Sequence, residues 1–492
     1  MPTFNDILVL LPEFYLVAAA CVLLLADAFM KPEQRWSLHW LSIVVMLLAG
    51  FMVIAGQPEV TVTAFGDMFI RDQTSEILKV FALLCTVLVF IYARPYLLDR
   101  KQFVGEFYTL MIFATIGVML LVSAGNLVMI YLGLELLTLS SYALVALNRD
   151  SPLSSEAAIK YFVLGALSSG MLLYGMSMVY GATGTLDLAQ LHAAVPQSAM
   201  PHLLVFGLIF MLVGIAFKLG AAPFHMWIPD VYQGASTPVT TFIASTSKLA
   251  AFGMAWRLLE TGLGDLSQHW QPMLAVIAVL SMAIGNLVAI VQTNLKRMLA
   301  YSTIAQMGFM LLGLVAGVVN GNTYNAQFAY SASMFYIVTY VLTTLASFGI
   351  ILLLAREGFE SEEITDLAGL NQRSPLYAGV MAIAMFSLAG LPPLVGFYAK
   401  LAVLQALIAS GQALYIGLAV FAVITSLIGA FYYLRVVKVM YFDAPVTAST
   451  VSAPRDVRTV LSINGLLILV LGIVPGGLMT LCAKAIVATL AN

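Results

Sequence analysis

The chain has 492 residues, of which 61% are hydrophobic and only 9% charged. A soluble domain carries about 25% charged residues, so a soluble protein of this length would lack the charge to cover its several cores. With 22 basic and 24 acidic residues the net charge is −2, which leaves no electrostatic footprint for nucleic acid, and the composition is that of a polytopic membrane protein.

The first apolar run, Leu8 to Phe29, has no basic flank and no small-residue cleavage site, and is expected to be a retained span. A helical crossing needs about 20 apolar residues. Runs of this kind number fourteen; the first seven lie at about 7–30, 37–56, 76–93, 106–124, 126–147, 156–181 and 202–234. The other seven lie at about 237–260, 271–292, 297–319, 325–354, 376–410, 412–434 and 459–482. The alternating strands of a membrane barrel are not seen, so the expected fold is an all-α polytopic membrane protein. Cys21, Cys85 and Cys482 sit inside apolar runs and form no C-x-x-C pair, which excludes iron–sulfur, structural zinc and c-type haem signatures. No glycine-rich phosphate loop occurs either.

Charge placement gives the topology. Fourteen Lys and Arg residues fall in one set of loops, from Lys31 and Arg35 through Lys296 and Arg297 to Arg455 and Arg458. The opposite set holds four: Arg71, Lys79, Arg257 and Lys484. This asymmetry puts the first set in the cytoplasm and both termini outside, the periplasmic side if the membrane is a bacterial inner membrane.

Five charges remain within spans: Glu135, Lys160, Lys218, Lys248 and Lys400. Each would cost roughly 2.5–3.5 kcal/mol facing lipid at the bilayer centre, so five together are too costly for decoration. The structural alternative is pairing across helices or snorkelling, and Lys160, four residues past Glu156, is the member it fits best.

Two spans are overlong and contain proline: the seventh, FKLGAAPFHMWIPDVYQG, and the twelfth, FSLAGLPPLVGFYAKL. Phe217, Leu219, Gly220 and Pro223 match Phe386, Leu388, Ala389 and Pro392 at a constant offset of 169 residues. Five spans separate the two breaks, so the copies face opposite ways, the inverted-repeat pattern of transporters. Proline frees a carbonyl one turn earlier, and inside a membrane that carbonyl needs water or protein. Lys218 and His225 flank the first break and Lys400 follows the second. A lysine whose proton affinity falls with desolvation and rises beside a carboxylate can load and unload a proton, with Glu135 as modulator.

LGLELLTLSSYALVAL, FKLGAAPFHMWIPDVYQGASTPVTTFIASTSKLAAFG and SLAGLPPLVGFYAKL together resemble the antiporter-like, proton-pumping membrane subunits of respiratory NADH–quinone oxidoreductase (complex I). The resemblance covers essentially the whole chain and is closest to the N type. The chain ends just after the fourteenth span, without the lateral helix of the L type, and has Lys400 where the M type is expected to carry glutamate. The resemblance implies fourteen helices with inverted repeats over spans 4–8 and 9–13. It also implies that Glu135 pairs with Lys218, that Lys248 links two half-channels, and that Lys400 stands at the exit. His225 joins a central hydrophilic axis, and Lys160 fits a sixth-span lysine of the N type. The implied cofactors, FMN, iron–sulfur clusters and quinone, belong to partner subunits, and the implied partners are the other complex I subunits in a bacterial inner membrane.

The expected division is 1–105, 106–260 (first repeat), 271–440 (second repeat) and 441–492. Tyr301, Ser302, Thr303 and Gln306 on the tenth span are candidate steps between Lys248 and Lys400. His39, His192, His202 and His269 are expected at interfaces, and the acidic loop 356–366 is expected to be a solvated connector. Two other functions share these features: a subunit of a multisubunit sodium/proton antiporter, and a membrane scaffold whose buried charges only fix packing.

Overall fold

The computed structural model describes residues 3–490 apart from 32–33, 101–103, 320–322, 356–358, 446–450 and 452. Lys101 and Arg356 of the charge count, and the first residues of the acidic loop, lie outside the described residues. A short α1 (Phe4–Val9) leads into the first three crossings, α2 (Leu11–Phe29), α3 (Trp36–Ala55) and α4 (Gln73–Asp99). Between α3 and α4 a small hairpin pairs β1 (Val62–Ala64) antiparallel with β2 (Phe69–Arg71). Crossings four to six are α5 (Gly105–Val122), α6 (Leu127–Val145) and α7 (Pro152–Thr183), followed by the short α8 (Leu188–Ala194). Crossing seven is split into α9 (Pro201–Leu219) and α10 (Trp227–Gly234), and crossing eight into α11 (Thr237–Ala244) and α12 (Thr246–Trp256).

Crossings nine to eleven are α13 (Ser267–Val291), α14 (Leu295–Val315) and α15 (Ala326–Leu354). After the single turn of α16 (Leu370–Arg373), crossing twelve is α17 (Pro375–Ala389) plus α18 (Val395–Ala409), and crossing thirteen is α19 (Ala413–Phe442). The last crossing is α20 (Arg455–Ile473) continued by α21 (Gly476–Leu490). The structure thus breaks the seventh and twelfth spans as expected, and breaks two that the sequence reading took as continuous.

In crossing eight the interruption falls at Ser245, whose φ of −117° and ψ of −84° leave the helical region. No proline is involved. Thr241, Ser245 and Ser247 each donate a hydroxyl to the carbonyl four residues earlier, at 2.7, 2.5 and 2.6 Å, and such back-bonding bends helices. In crossing fourteen the helix stops before Pro475, which cannot continue the ladder. The turn there packs on the twelfth-span break. A Cβ at Gly472 would stand 2.1 Å from the Pro393 carbonyl oxygen.

The repeat is written in the backbone as well as in the prolines. Asn126 caps α6 by accepting from the Val128 N–H, and Asn294, 168 residues later, caps α14 by accepting from the Arg297 N–H. Each asparagine also forms an isolated antiparallel bridge to the loop after the following helix, Asn126 to Asp187 and Asn294 to Glu363. At the same 168-residue offset, a Cβ on Gly117 of α5 would lie 2.5 Å from Leu137 N of α6, and one on Gly285 of α13 2.6 Å from Ala305 N of α14. These close contacts set the first helix pair of each copy in the same arrangement.

Candidate functional site

The seventh-span break is closed by Gly220, which adopts φ +75° at the end of α9. Its N–H reaches Phe217 O at 2.9 Å, and the Ala221 N–H reaches Ala216 O at 2.8 Å, a left-handed helix stop of the kind that favours glycine. The Trp227 indole takes Phe217 O at 3.0 Å, and Ser281 Oγ of α13 accepts from the Ala222 N–H at 2.8 Å. Leu219 O is satisfied by Lys248: its Nζ donates at 2.9 Å and lies 5.3 Å from the Trp227 ring centroid. Lys248 is completely buried. An ammonium on the last carbonyls of a helix opposes the negative end of its dipole, so charge and backbone satisfy each other inside the bundle.

The twelfth-span break repeats the design with a different chain path. Gly390 closes α17 at φ +86°, its N–H bonded to Phe386 O and Ser387 O, and the Leu391 N–H to Phe386 O. Here Lys400 of α18 supplies the cation, donating to Leu388 O and Ala389 O, both at 3.0 Å, and to Ser426 Oγ of α19 at 2.8 Å. Its Nζ is 4.9 Å from the Phe309 ring centroid. The two glycines are 170 residues apart, one more than the offset of the sequence match. The register is set by the glycine that must turn left-handed, and the phenylalanines of the motif are therefore one position out of structural alignment.

Lys218 is buried at the end of α9, and its Nζ makes no hydrogen bond. Glu135 of α6 is half-buried, with Oε1 enclosed and equally unpartnered. The expected contact between them is not made: among the described residues no ion pair within 4.0 Å joins the two.

His225 lies in the turn between α9 and α10, half-buried, with Nδ1 enclosed and its ring centroid 6.5 Å from that of Tyr301. The other polar residues of α14 are tied to the second break. Gln306 Nε2 donates to Leu388 O at 2.9 Å, the carbonyl that Lys400 also uses, and to Tyr433 OH at 3.0 Å. Tyr336 donates to Gln306 Oε1, Ser302 bonds Tyr433 at 2.5 Å, and Tyr340 donates to Thr303 at 2.8 Å. A cavity of about 10 Å³ lies among Gln306, Tyr336, Tyr340, Thr343, Ser387 and Lys400, the room one water needs.

Lys160 does not join this buried set. It is half-exposed, and its Nζ pairs at 2.8 Å with both Glu156 and Asp230, while Asp230 also pairs with Arg297 at 2.8 Å. His39 differs from expectation too, being fully buried with Nδ1 3.2 Å from Tyr108 OH. The acidic loop is no free connector: Glu360 pairs with Arg100 and Glu362 with Lys296. Nor is Glu135 the only deep acid. Lys79 pairs with Glu13 at 2.9 Å and Glu76 at 3.2 Å, Arg71 with Glu76, and Arg257 with Asp72, all nearly excluded from solvent. These pairs stand within a turn or two of span ends, where sequence reading assigns charges to loops. Among the described residues no group of His, Cys, Asp and Glu could hold a metal ion.

Residues 124–429 match the family described as NADH:quinone oxidoreductase/Mrp antiporter, TM. The chain is 58% identical over 483 residues to NADH-quinone oxidoreductase subunit N of Polaromonas naphthalenivorans, covering 96% of each. It is 53% identical over 493 residues to the subunit of the same name from Herminiimonas arsenicoxydans, covering 99% of each. A chain of respiratory complex I from Thermus thermophilus superposes with a TM-score of 0.80 at 32% identity, over 96% of this chain and 99% of that one. A chain of the Mrp complex from Dietzia superposes with a TM-score of 0.84 at 21% identity, over 98% and 97%, and shares the fold. With its discontinuous helices and buried lysines, the chain belongs to the subunit N family of NADH–quinone oxidoreductase, the antiporter-like proton-translocating membrane subunits of that complex.

Proposed function

We propose that Lys248 and Lys400 are the proton-holding groups of this subunit, with Lys218, Glu135 and His225 on the entry side and Lys160 at its rim. The observation that carries the reading is the paired design of the breaks. In each copy a buried ammonium rests on carbonyls at the end of an interrupted helix. An approaching or receding carboxylate changes how tightly such a lysine holds its proton. Glu135 and Lys218, each enclosed and unpartnered, are charges whose mutual approach lowers their combined energy. The Gln306–Tyr433–Ser302 hydrogen bonds reach from the Lys400 site into α14 and supply hydroxyls for the steps between the copies.

In this reading electron transfer takes place on flavin, iron–sulfur clusters and quinone held by partner subunits, and this chain carries no redox site. In this reading the protein lies in a bacterial inner membrane, and the basic-residue asymmetry supports termini on the periplasmic side. The working division is an N-terminal segment 1–105, repeats at 106–260 and 271–440, and a C-terminal segment 441–492. The test is Lys400→Arg in the complete complex reconstituted into liposomes. Guanidinium keeps the charge but cannot release its proton at accessible pH. Pumping and quinone-linked turnover are expected to fall together, and full pumping by the arginine variant would remove Lys400 from the path.

A further inference from the structure

Lys296, at the start of α14, is buried although it stands at the end of a span. Its Nζ donates to Ala235 O, at the end of α10, at 2.9 Å and to Glu362 Oε1 at 2.8 Å. Glu362 is four-fifths covered and still touches solvent. Its other oxygen accepts from Asn294 Nδ2 at 3.3 Å. Other charged groups at this place are Glu363, which also accepts from Asn294; Arg297, which faces Asp230; Arg435 of α19, which donates to Ile290 O and Gln292 O; and Asp366, which accepts from the Glu363 N–H.

The opposite copy shows that the fold does not require this pair. There the backbone bridge is built by Leu127 N–H to Leu186 O and Leu188 N–H to Gly125 O, both at 2.9 Å. Here it is built by Leu295 N–H to Glu362 O at 2.5 Å and Ile364 N–H to Thr293 O at 3.0 Å. Val128 and Leu186 occupy the places of Lys296 and Glu362. The same tie therefore stands without charge in one copy and with a buried lysine in the other. The tie itself does not demand the charge, and burying a lysine is costly unless it is paired, so its presence here calls for a role beyond the backbone frame.

What lies inward is also polar. α10 runs from the Lys296 contact at Ala235 back to Trp227, whose ring lies under Lys248. Over that length stand the enclosed, unbonded hydroxyl of Tyr232 and the Tyr340–Thr303 pair, Thr303 being seven residues, about 10 Å, along α14 from Lys296. We propose that Glu362 and Lys296 form the proton-uptake station of this subunit, delivering protons from the cytoplasmic side to Lys248. The proposal rests on the proton-path reading above and on its sidedness.

The step balances without electron transfer. Glu362 carboxylate takes a proton from hydronium and leaves water. The N–H bond of the Lys296 ammonium breaks as its proton passes along the hydroxyls and intervening water, and an N–H bond forms on a neutral Lys248 amine. The neutral Lys296 then takes the proton from the Glu362 carboxyl, restoring the ion pair. One proton has moved from bulk to Lys248.

The test uses the complete complex in liposomes, with Glu362→Gln as the decisive variant. Its amide oxygen still accepts from Lys296, so assembly is expected to persist. Turnover and pumping are expected to fall together by roughly tenfold or more, as on losing a positioned proton-transfer group. The loss deepens as pH rises and hydronium becomes scarce, a dependence that a purely structural pair would not produce. The double variant Lys296→Val with Glu362→Leu, carrying the residues of the opposite copy, is expected to assemble and behave likewise. Lys218→Ala separates the two readings. If it abolishes pumping while Glu362→Gln pumps normally between about pH 6 and 9, the uptake station is overturned and the path stands. If both variants pump normally, the path itself is lost.

Discussion

At the scale of single residues, the lysine sites depend on glycines that leave room for them. A Cβ on Gly390 would stand 2.9 Å from Lys400 Cδ and 3.2 Å from Nζ, and one on Gly220 would stand 1.7 Å from Ile228 Cδ1. Both glycines are left-handed, where an added Cβ costs about 1–2 kcal/mol. Gly390→Ala is therefore expected to lower the thermal unfolding temperature of the purified complex and to weaken pumping as well, by pushing the ammonium off Leu388 O and Ala389 O. Gln306→Leu acts on the same carbonyl from the other side. It strands the hydroxyl of Tyr336, a loss of about 1–3 kcal/mol for an unsatisfied buried group, and leaves Tyr433 with its bond to Ser302. A melting curve unchanged by Gln306→Leu would show that the Gln306 contacts are not part of what holds the second break. Lys218, Lys248 and Lys400 were legible because a charge deep inside an apolar run has few bland explanations. Lys160 turns to an exposed face and takes the Glu156 pairing that was its alternative, because sequence counts depth along a helix and cannot tell which face turns outward.

At the scale of elements, interruptions are what bring the site together, and their legibility depends on their chemistry. Pro223 and Pro392–Pro393 announced the seventh and twelfth breaks. The eighth comes from hydroxyl back-bonding in Thr240–Ser247, a run that reads as ordinary polar decoration, yet it sits three residues before Lys248. The fourteenth carried its own proline, Pro475, but the apolar run continues across it. That last break leans on the twelfth at Gly472, where a methyl group would meet backbone at 2.1 Å and cannot be accommodated by a side-chain rotation. Gly472→Ala should cost about 1–3 kcal/mol by overpacking. It is expected to show as less subunit retained in the membrane complex, and normal retention would mean that the two breaks pack more loosely than described.

At the scale of the whole molecule, the topology is open to direct labelling. With endogenous cysteines replaced, Gln197→Cys is expected to react with an impermeant maleimide in spheroplasts and Gln34→Cys only in inverted vesicles; the reverse pattern would invert the membrane orientation. Overall architecture was legible because fourteen apolar runs and a lopsided basic count are global signals that survive local error. The ion pairs near span ends were not, because partners such as Lys79 and Glu13 lie far apart in sequence. The two copies also differ in how their lysines are anchored. Lys400 grips α17 from α18, the other half of its own interrupted span, whereas Lys248 grips α9 from α12, in a separate span. Sliding crossing eight past crossing seven would carry Lys248 off its carbonyl, while crossing twelve could shift as a body with Lys400 still attached. The first lysine is held in trans and can be released by relative motion of two helices. The second is held in cis by its carbonyls, with Ser426 of α19 as a side bond, and leaves those carbonyls only by a change inside its own span, so one duplicated frame houses two mechanically distinct latches.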